Sequence, residues 1–258
     1  MLDWFYDSAL AILYPVIMIL IMGATELGAR IGWRRRDAAE RAEISALTGA
    51  ALGLLALLLG FSFSLALSRY DVRRTLVLEE ANAIGSTANF ALMLPASAQQ
   101  PILSLLRDYT AVRIGLGVPF DPAKLQRDIA RSLDIQTRLW QQAAAMTAEA
   151  PQSLPIHRFV VSLNEMNNIH ERRLTALRYR VPGAVTFTLV GVAMMAMGIT
   201  GYHAGMTESQ RHMATQIMSL MVAVVIMMIV DLDRPARGLI QVPVQALLDA
   251  AQGIPSGR

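Results

Sequence analysis

The 258-residue chain has no cysteine, which excludes structural disulfides, thiolate chemistry and Cys-type zinc or iron–sulfur sites. That absence does not discriminate between compartments. Charge is scarce at 17 % of residues, and the net +3 is carried almost wholly by arginine. No stretch alternates like a β-strand, no internal repeat is visible, and there is no P-loop, GxGxxG, GxSxG or HExxH. The four histidines, His157, His170, His203 and His212, have no metal-ligand spacing. An enzyme therefore has no positive support, and no catalytic, metal or cofactor residue is assigned. No basic patch is interleaved with aromatics, so nucleic acid is not an expected partner. The arginines sit beside apolar segments, which suits anionic lipid headgroups better.

What the chain has in quantity is apolar sequence. At 54 % hydrophobic and a mean hydropathy of +0.40 it is too apolar for a soluble domain, yet too charged to lie in a membrane throughout. The central stretch is 44–95. It opens with apolar residues, passes through GFSFSLALSRYDVRR, and meets no proline before Pro95. This predicts one helix, unbroken from about 44 to 90, that crosses a bilayer and continues into water as an amphipathic helix. Its apolar part, about 25 residues at 1.5 Å each, reaches roughly 37 Å, enough to cross with some tilt.

Three further spans are expected. The first, 8–29, contains Pro15 and has Trp4, Phe5, Tyr6 and Tyr14 as an aromatic anchor; Asp3 and Asp7 argue against a cleaved signal peptide. The third starts near Pro182 and runs to about 201, and the fourth covers 213–230. Residues 1–68 then hold spans one and two, 69–180 a domain outside the membrane, 181–231 spans three and four, and 232–258 a short amphipathic tail. Within 69–180 the periodicity is helical. One helix is expected over 101–116, closed by Gly115, Gly117 and Pro119. The next starts at Asp121-Pro122 as N-cap and first-turn proline, and the last follows the breaks at Pro151 and Pro155. With the end of the central helix these make a four-helix bundle. The fold class is an all-α membrane protein of four transmembrane helices, with a helical bundle inserted between the second and third. Orientation stays open: Arg30, Arg34, Arg35, Arg36 and Arg41 in the first connection place that loop in the cytoplasm. Arg69, Arg73, Arg74, Arg172, Arg173, Arg178 and Arg180 favour the opposite side.

Several residues are candidates for function. Glu26 is the carboxylate within a span, and its spacing to Arg30 suits an interfacial ion pair. His170, in NEMNNIHERR, suits hydrogen bonding to neighbouring Asn or Glu. Asp231 and Asp233, beside Arg234 and Arg237, suit a turn at the membrane surface better than a catalytic or cation-binding pair. GAALG, from Gly49 to Gly53, permits a close helix approach. On the second span, steps of three or four give Gly53, Leu57, Phe61, Ser64, Ser68 and Asp71. That face passes from apolar to hydroxyl-bearing to charged. Around an axis of several copies it makes a dry constriction opening into a polar vestibule. Packed on another span, with the serines bonded to their own helix, it makes only structure.

The blocks LLLGFSFSLALSRYDVRR, EEANAIG, ERRLTALRYRVP and LDRPARGLIQVP resemble, in the same order, a widespread family of bacterial membrane proteins called bestrophin-like. LLLGFSFSLALSRY also looks like the pore helix of the bestrophin anion channels. The resemblance implies a homopentamer in the bacterial inner membrane, an inserted domain in the cytoplasm, and inorganic ions and lipids as partners. It implies hydrophobic neck positions at Phe61 and Leu57, the latter apolar without a ring. Gly53 falls where a bulky neck residue is expected, which widens that level. Nothing resembles an acidic calcium clasp. The alternative is a non-conducting scaffold or sensor whose helical domain binds a partner.

Overall fold

A computed structural model describes residues 10–34, 38–116, 121–178, 183–207, 212–234 and 238–255. Asp3, Trp4, Phe5, Tyr6, Asp7, Arg35, Arg36, Gly117, Pro119, Arg180, Pro182 and Arg237 lie outside the described residues. Among the described residues, all regular structure is helical. The elements are α1 (Leu10–Trp33), α2 (Ala38–Ala91), α3 (Ala96–Ile114), α4 (Pro122–Glu149), α5 (Leu154–Arg178), α6 (Gly183–Met206), α7 (His212–Asp233) and α8 (Gln245–Gly253).

The central helix α2 runs for 54 residues without a break, since neither proline nor a turn motif interrupts it. It ends in a turn in which Met93 and Leu94 donate their amides to the carbonyls of Phe90 and Ala91. Gln99 Nε2 ties this turn down by donating to the carbonyls of Leu92 at 3.0 Å and Leu94 at 2.8 Å. Helix α3 starts at Ala96, before Pro101 rather than at it, so that proline lies inside the helix. Asp121 caps α4, accepting from the Ala123 amide at 2.9 Å with Pro122 in the first turn.

Among the described residues, four segments are long and apolar enough to cross a membrane, within Ile12–Trp33, Arg41–Ala91, Leu154–Met206 and Met213–Asp233. The chain divides into two compact units, Met1–Arg69 with Arg180–Ile240, and Tyr70–Tyr179 with Gln241–Arg258. In the first, α1 and α6 lie backbone to backbone. A Cβ added to Gly28 would stand 2.0 Å from the Gly198 carbonyl oxygen, and one on Gly201 2.0 Å from that of Thr25. Gly32 and Gly205 meet the carbonyl oxygens of Tyr202 and Ala29 in the same way. Only glycine permits this approach, which the GxxxG spacings GARIG and GYHAG provide. Gly49 and Gly53, by contrast, have no neighbour within 4 Å of such a Cβ. The close approach in this unit lies on other helices than GAALG suggested. The Thr25 and Ser219 hydroxyls meet at 2.7 Å, tying α1 to α7.

At the end of α7, Asp231 is buried and fully used. It accepts from the Tyr14 hydroxyl at 2.5 Å and from the amides of Leu239 and Ile240 at 2.9 and 2.8 Å. These bonds fold 238–240 back over the helix end, so Asp231 is a turn-former. In the second unit Ile84, Leu106, Leu139, Phe159 and Leu163 form a core with Leu247 and Ile254 from around α8. Arg107 Nη2 holds the chain end by donating to the Pro255 carbonyl at 2.6 Å.

Gly201→Ala forces α1 and α6 apart and is expected to cost on the order of 1–3 kcal/mol, the usual range for overpacking. Gly53→Ala meets open space and is expected to leave unfolding of the single chain unchanged. Thermal unfolding in detergent tests the pair; a wild-type midpoint for Gly201→Ala would mean that the two backbones do not touch.

Candidate functional site

The α2 stripe is placed by helical periodicity. Leu55 and Ala66, at 2 % and 0 % exposure, mark the buried side of α2 in the first unit. At about 100° per residue, Gly53, Leu57, Phe61, Ser64, Ser68 and Asp71 cluster within roughly 50° of the opposite side. All six are exposed, Leu57 at 55 % and Phe61 at 66 %. Leu54 and Leu65 beside them are exposed as well. Only 11 % of the apolar window of α2 is buried, against 28–33 % for the other three spans. A helix this apolar and this uncovered needs lipid or another copy of the chain around it.

Glu26 lies in the last turns of α1, where Arg30 Nε donates to its Oε1 at 2.8 Å. Both side chains are exposed, and Gln216 Nε2 from α7 stands 3.4 Å from the other carboxylate oxygen.

A third group went unread in the sequence. Glu80, wholly buried on α2, sits between Arg113 of α3 and Arg173 of α5. Arg113 Nε donates to Glu80 Oε1 at 2.6 Å and its Nη2 lies 3.4 Å from Oε2. Arg173 Nη1 also donates to Oε2, and the Tyr109 hydroxyl donates to Oε1 at 3.1 Å. His170 Nδ1 meets that hydroxyl at 3.0 Å, and Gln136 Nε2 of α4 reaches it at 3.4 Å. Helices α3 and α5 thus converge on a carboxylate of α2, and α4 joins the network through the Tyr109 hydroxyl. The partner of His170 is therefore a tyrosine 61 residues away, not a neighbouring Asn or Glu.

Burial pushes the Glu80 carboxyl up, but the Arg113 and Arg173 guanidiniums outweigh it and hold the group below the usual carboxylate range. Burial and the adjacent Glu80 charge raise the Tyr109 phenol. Burial, reinforced by Arg113, lowers His170 to about 4, so the ring is neutral near pH 7. The residues here match no metal set: among the described residues no three His, Asp, Glu or Cys side chains group for an ion.

The profile of the bestrophin-like domain matches residues 16–247. The chain belongs to the bestrophin-like family. The crystal structure of a bacterial bestrophin homologue from Klebsiella pneumoniae superposes with a TM-score of 0.69 at 17 % identity, covering 92 % of this chain and 96 % of that one. A variant of that homologue gives a TM-score of 0.68 at 18 % identity, over 92 % and 95 %. Another crystal structure, described as that of a membrane protein, gives 0.68 at 16 % identity over 92 % and 97 %. No curated protein matches the chain. At these identities the likeness is one of fold: a bestrophin-like, all-α, multi-pass membrane protein.

The buried imidazole sets a pH dependence. Because the folded state holds His170 down at about 4 while the unfolded chain takes up its proton near 6.5, unfolding binds the extra proton between these values. Stability is therefore complete above pH 6.5 and falls as pH drops toward 4, by about 3 kcal/mol over that window. His170→Gln is expected to flatten the slope of unfolding free energy against pH there. An equal slope in both proteins would assign the loss to other groups.

Proposed function

We propose that this bestrophin-like chain is a homo-oligomeric ion channel of the bacterial inner membrane, with α2 lining the pore in a ring of five copies. The observation that carries the reading is the exposed stripe of α2, in which Leu57 and Phe61 give way to Ser64, Ser68 and Asp71. Among the described residues of the first unit, that face stays exposed. Turned toward a common axis, Leu57 and Phe61 form stacked apolar rings one turn apart. Ions stall there because the water they would shed is not replaced by leucine or phenyl groups. The hydroxyls of Ser64 and Ser68 then restore a hydrated path, and Gly53 leaves its own level wide. Residues 69–180 form the inserted helical domain, placed in the cytoplasm as the family layout implies. Arg69, Arg73 and Arg74 on that side of the second span are in keeping with this.

A second reading, a scaffold whose helical domain binds a partner, draws on an open groove of about 470 Å³ between α2 and α5. Asn82, Ser86, Phe90, Arg158, Glu165 and Arg172 line it. Flux separates the two readings, since a scaffold reconstituted in liposomes passes no ions above empty vesicles.

Phe61→Ala is expected to raise basal conductance in planar bilayers, and Leu57→Ala likewise, while Ser64→Ala changes current less. If the stripe instead packs against protein, Phe61→Ala leaves a cavity costing on the order of 3–5 kcal/mol and lowers stability with no added current. Measuring midpoint and current on the same samples decides between them. For orientation, an alkaline phosphatase fusion at residue 117 is expected to be inactive and a cytoplasmic reporter there active. The reverse pattern puts the domain outside.

A further inference from the structure

The Glu80 cluster does not balance. A carboxylate offers about four lone-pair positions, and Glu80 takes four donors: Arg113 Nε, Arg113 Nη2, Arg173 Nη1 and the Tyr109 hydroxyl. It is saturated. Arg113 Nη1 is nonetheless buried with no acceptor, on a side chain of 0 % exposure. The His170 Nε2 atom is also buried and without a partner. Two guanidiniums against one carboxylate leave one positive charge, because neutral His170, Tyr109 and Gln136 supply none. A buried excess charge with an idle N–H is costly unless an acceptor of opposite sign meets it.

We propose that this cluster is an anion site in the second unit, in which a small inorganic anion of the halide class accepts from Arg113 Nη1 and balances the charge that Glu80 leaves over. Arg113 is the anchor, with Arg173 contributing field rather than a required contact. Tyr109 orients His170 through Nδ1, leaving Nε2 as the position that gains a proton when a negative guest arrives. Anion uptake is then linked to proton uptake, and the guest raises the pH at which His170 titrates. The site is separate from the α2 stripe of the first unit and does not depend on whether that stripe conducts.

The test uses the full-length protein with bromide as probe. Crystals grown in bromide are expected to give an anomalous peak within hydrogen-bond distance of Arg113 Nη1. In solution, bromide at constant ionic strength should raise the thermal midpoint saturably where gluconate does not, and more strongly at pH 5 than at pH 8. Glu80→Gln removes the competing negative charge and is expected to tighten the bromide response about tenfold. Arg113→Lys keeps the charge but loses the idle Nη1 and should weaken it. If neither variant folds, the wild-type protein still decides. A water at Arg113 with no anomalous signal overturns the proposal, as do equal midpoints in bromide and gluconate. Bromide peaks confined to the α2 stripe would support a pore while overturning this site.

Discussion

An apolar helix has to be covered, and among the described residues α2 is the span left least covered, with 11 % of its apolar window buried. Helices α1, α6 and α7 solve the problem among themselves: glycines bring α1 and α6 to backbone contact, and the Thr25 and Ser219 hydroxyls link α1 to α7. Such close packing suits a lipid environment, where the hydrophobic effect gives helices little reason to associate and van der Waals fit must do so. For α2 the same accounting fails. Its Leu54, Leu57 and Phe61 are exposed and have no polar character to justify contact with water. None of the described residues supplies the cover for that stripe, and its polarity gradient separates lipid from a second copy of the chain as the source. Lipid on every side accounts for leucine and phenylalanine; it gives no reason for Ser64, Ser68 and Asp71 to continue the same face.

Most of the fold was legible because it depends on features that act locally. An absence of breakers yielded the 54-residue helix α2, and the Asp121-Pro122 pair yielded the start of α4 as found. Pro101 misled, since a proline reads as a first-turn residue, whereas α3 carries it inside. The glycines show the limit of motif reading. GAALG, GARIG and GYHAG have the same spacing, and spacing alone says that a close approach is possible, not which helix takes it. The partner for GARIG lies on α6, about 170 residues away, and no local rule supplies that pairing.

Charged groups were harder. Within LVLEEANAIG, Glu79 and Glu80 are adjacent and look alike, yet Glu79 is only partly covered and pairs with Arg172 at 3.1 Å, while Glu80 is wholly buried. Helical phase held the available clue. From Leu55 and Ala66, steps of seven and eleven residues lead through Arg73 to Glu80, all on one side of α2. Buried residues continue there at Ile84 and Ala91. A carboxylate in phase with a buried stripe has to be paired, and Arg113 and Arg173, 33 and 93 residues away, are the sort of partners that periodicity cannot identify. For Asp231 the sequence sufficed, because its turn-forming amides are only eight and nine residues away.

The buried carboxylate is better understood as a specifier of register than as a source of stability. Replacing such a group by well-packed apolar residues is often neutral or favourable, whereas removing one member of the set leaves a stranded charge and costs about 3–5 kcal/mol. What it enforces is angular. Turning α2 by one residue, about 100°, withdraws Glu80 from both arginines and from Tyr109 at once. An apolar stripe alone tolerates such slippage far better, since leucine and alanine make non-directional contacts. Directional, charge-assisted bonds to Glu80 thus give this end of α2 a definite facing within the second unit, which a stripe of leucine and alanine alone does not.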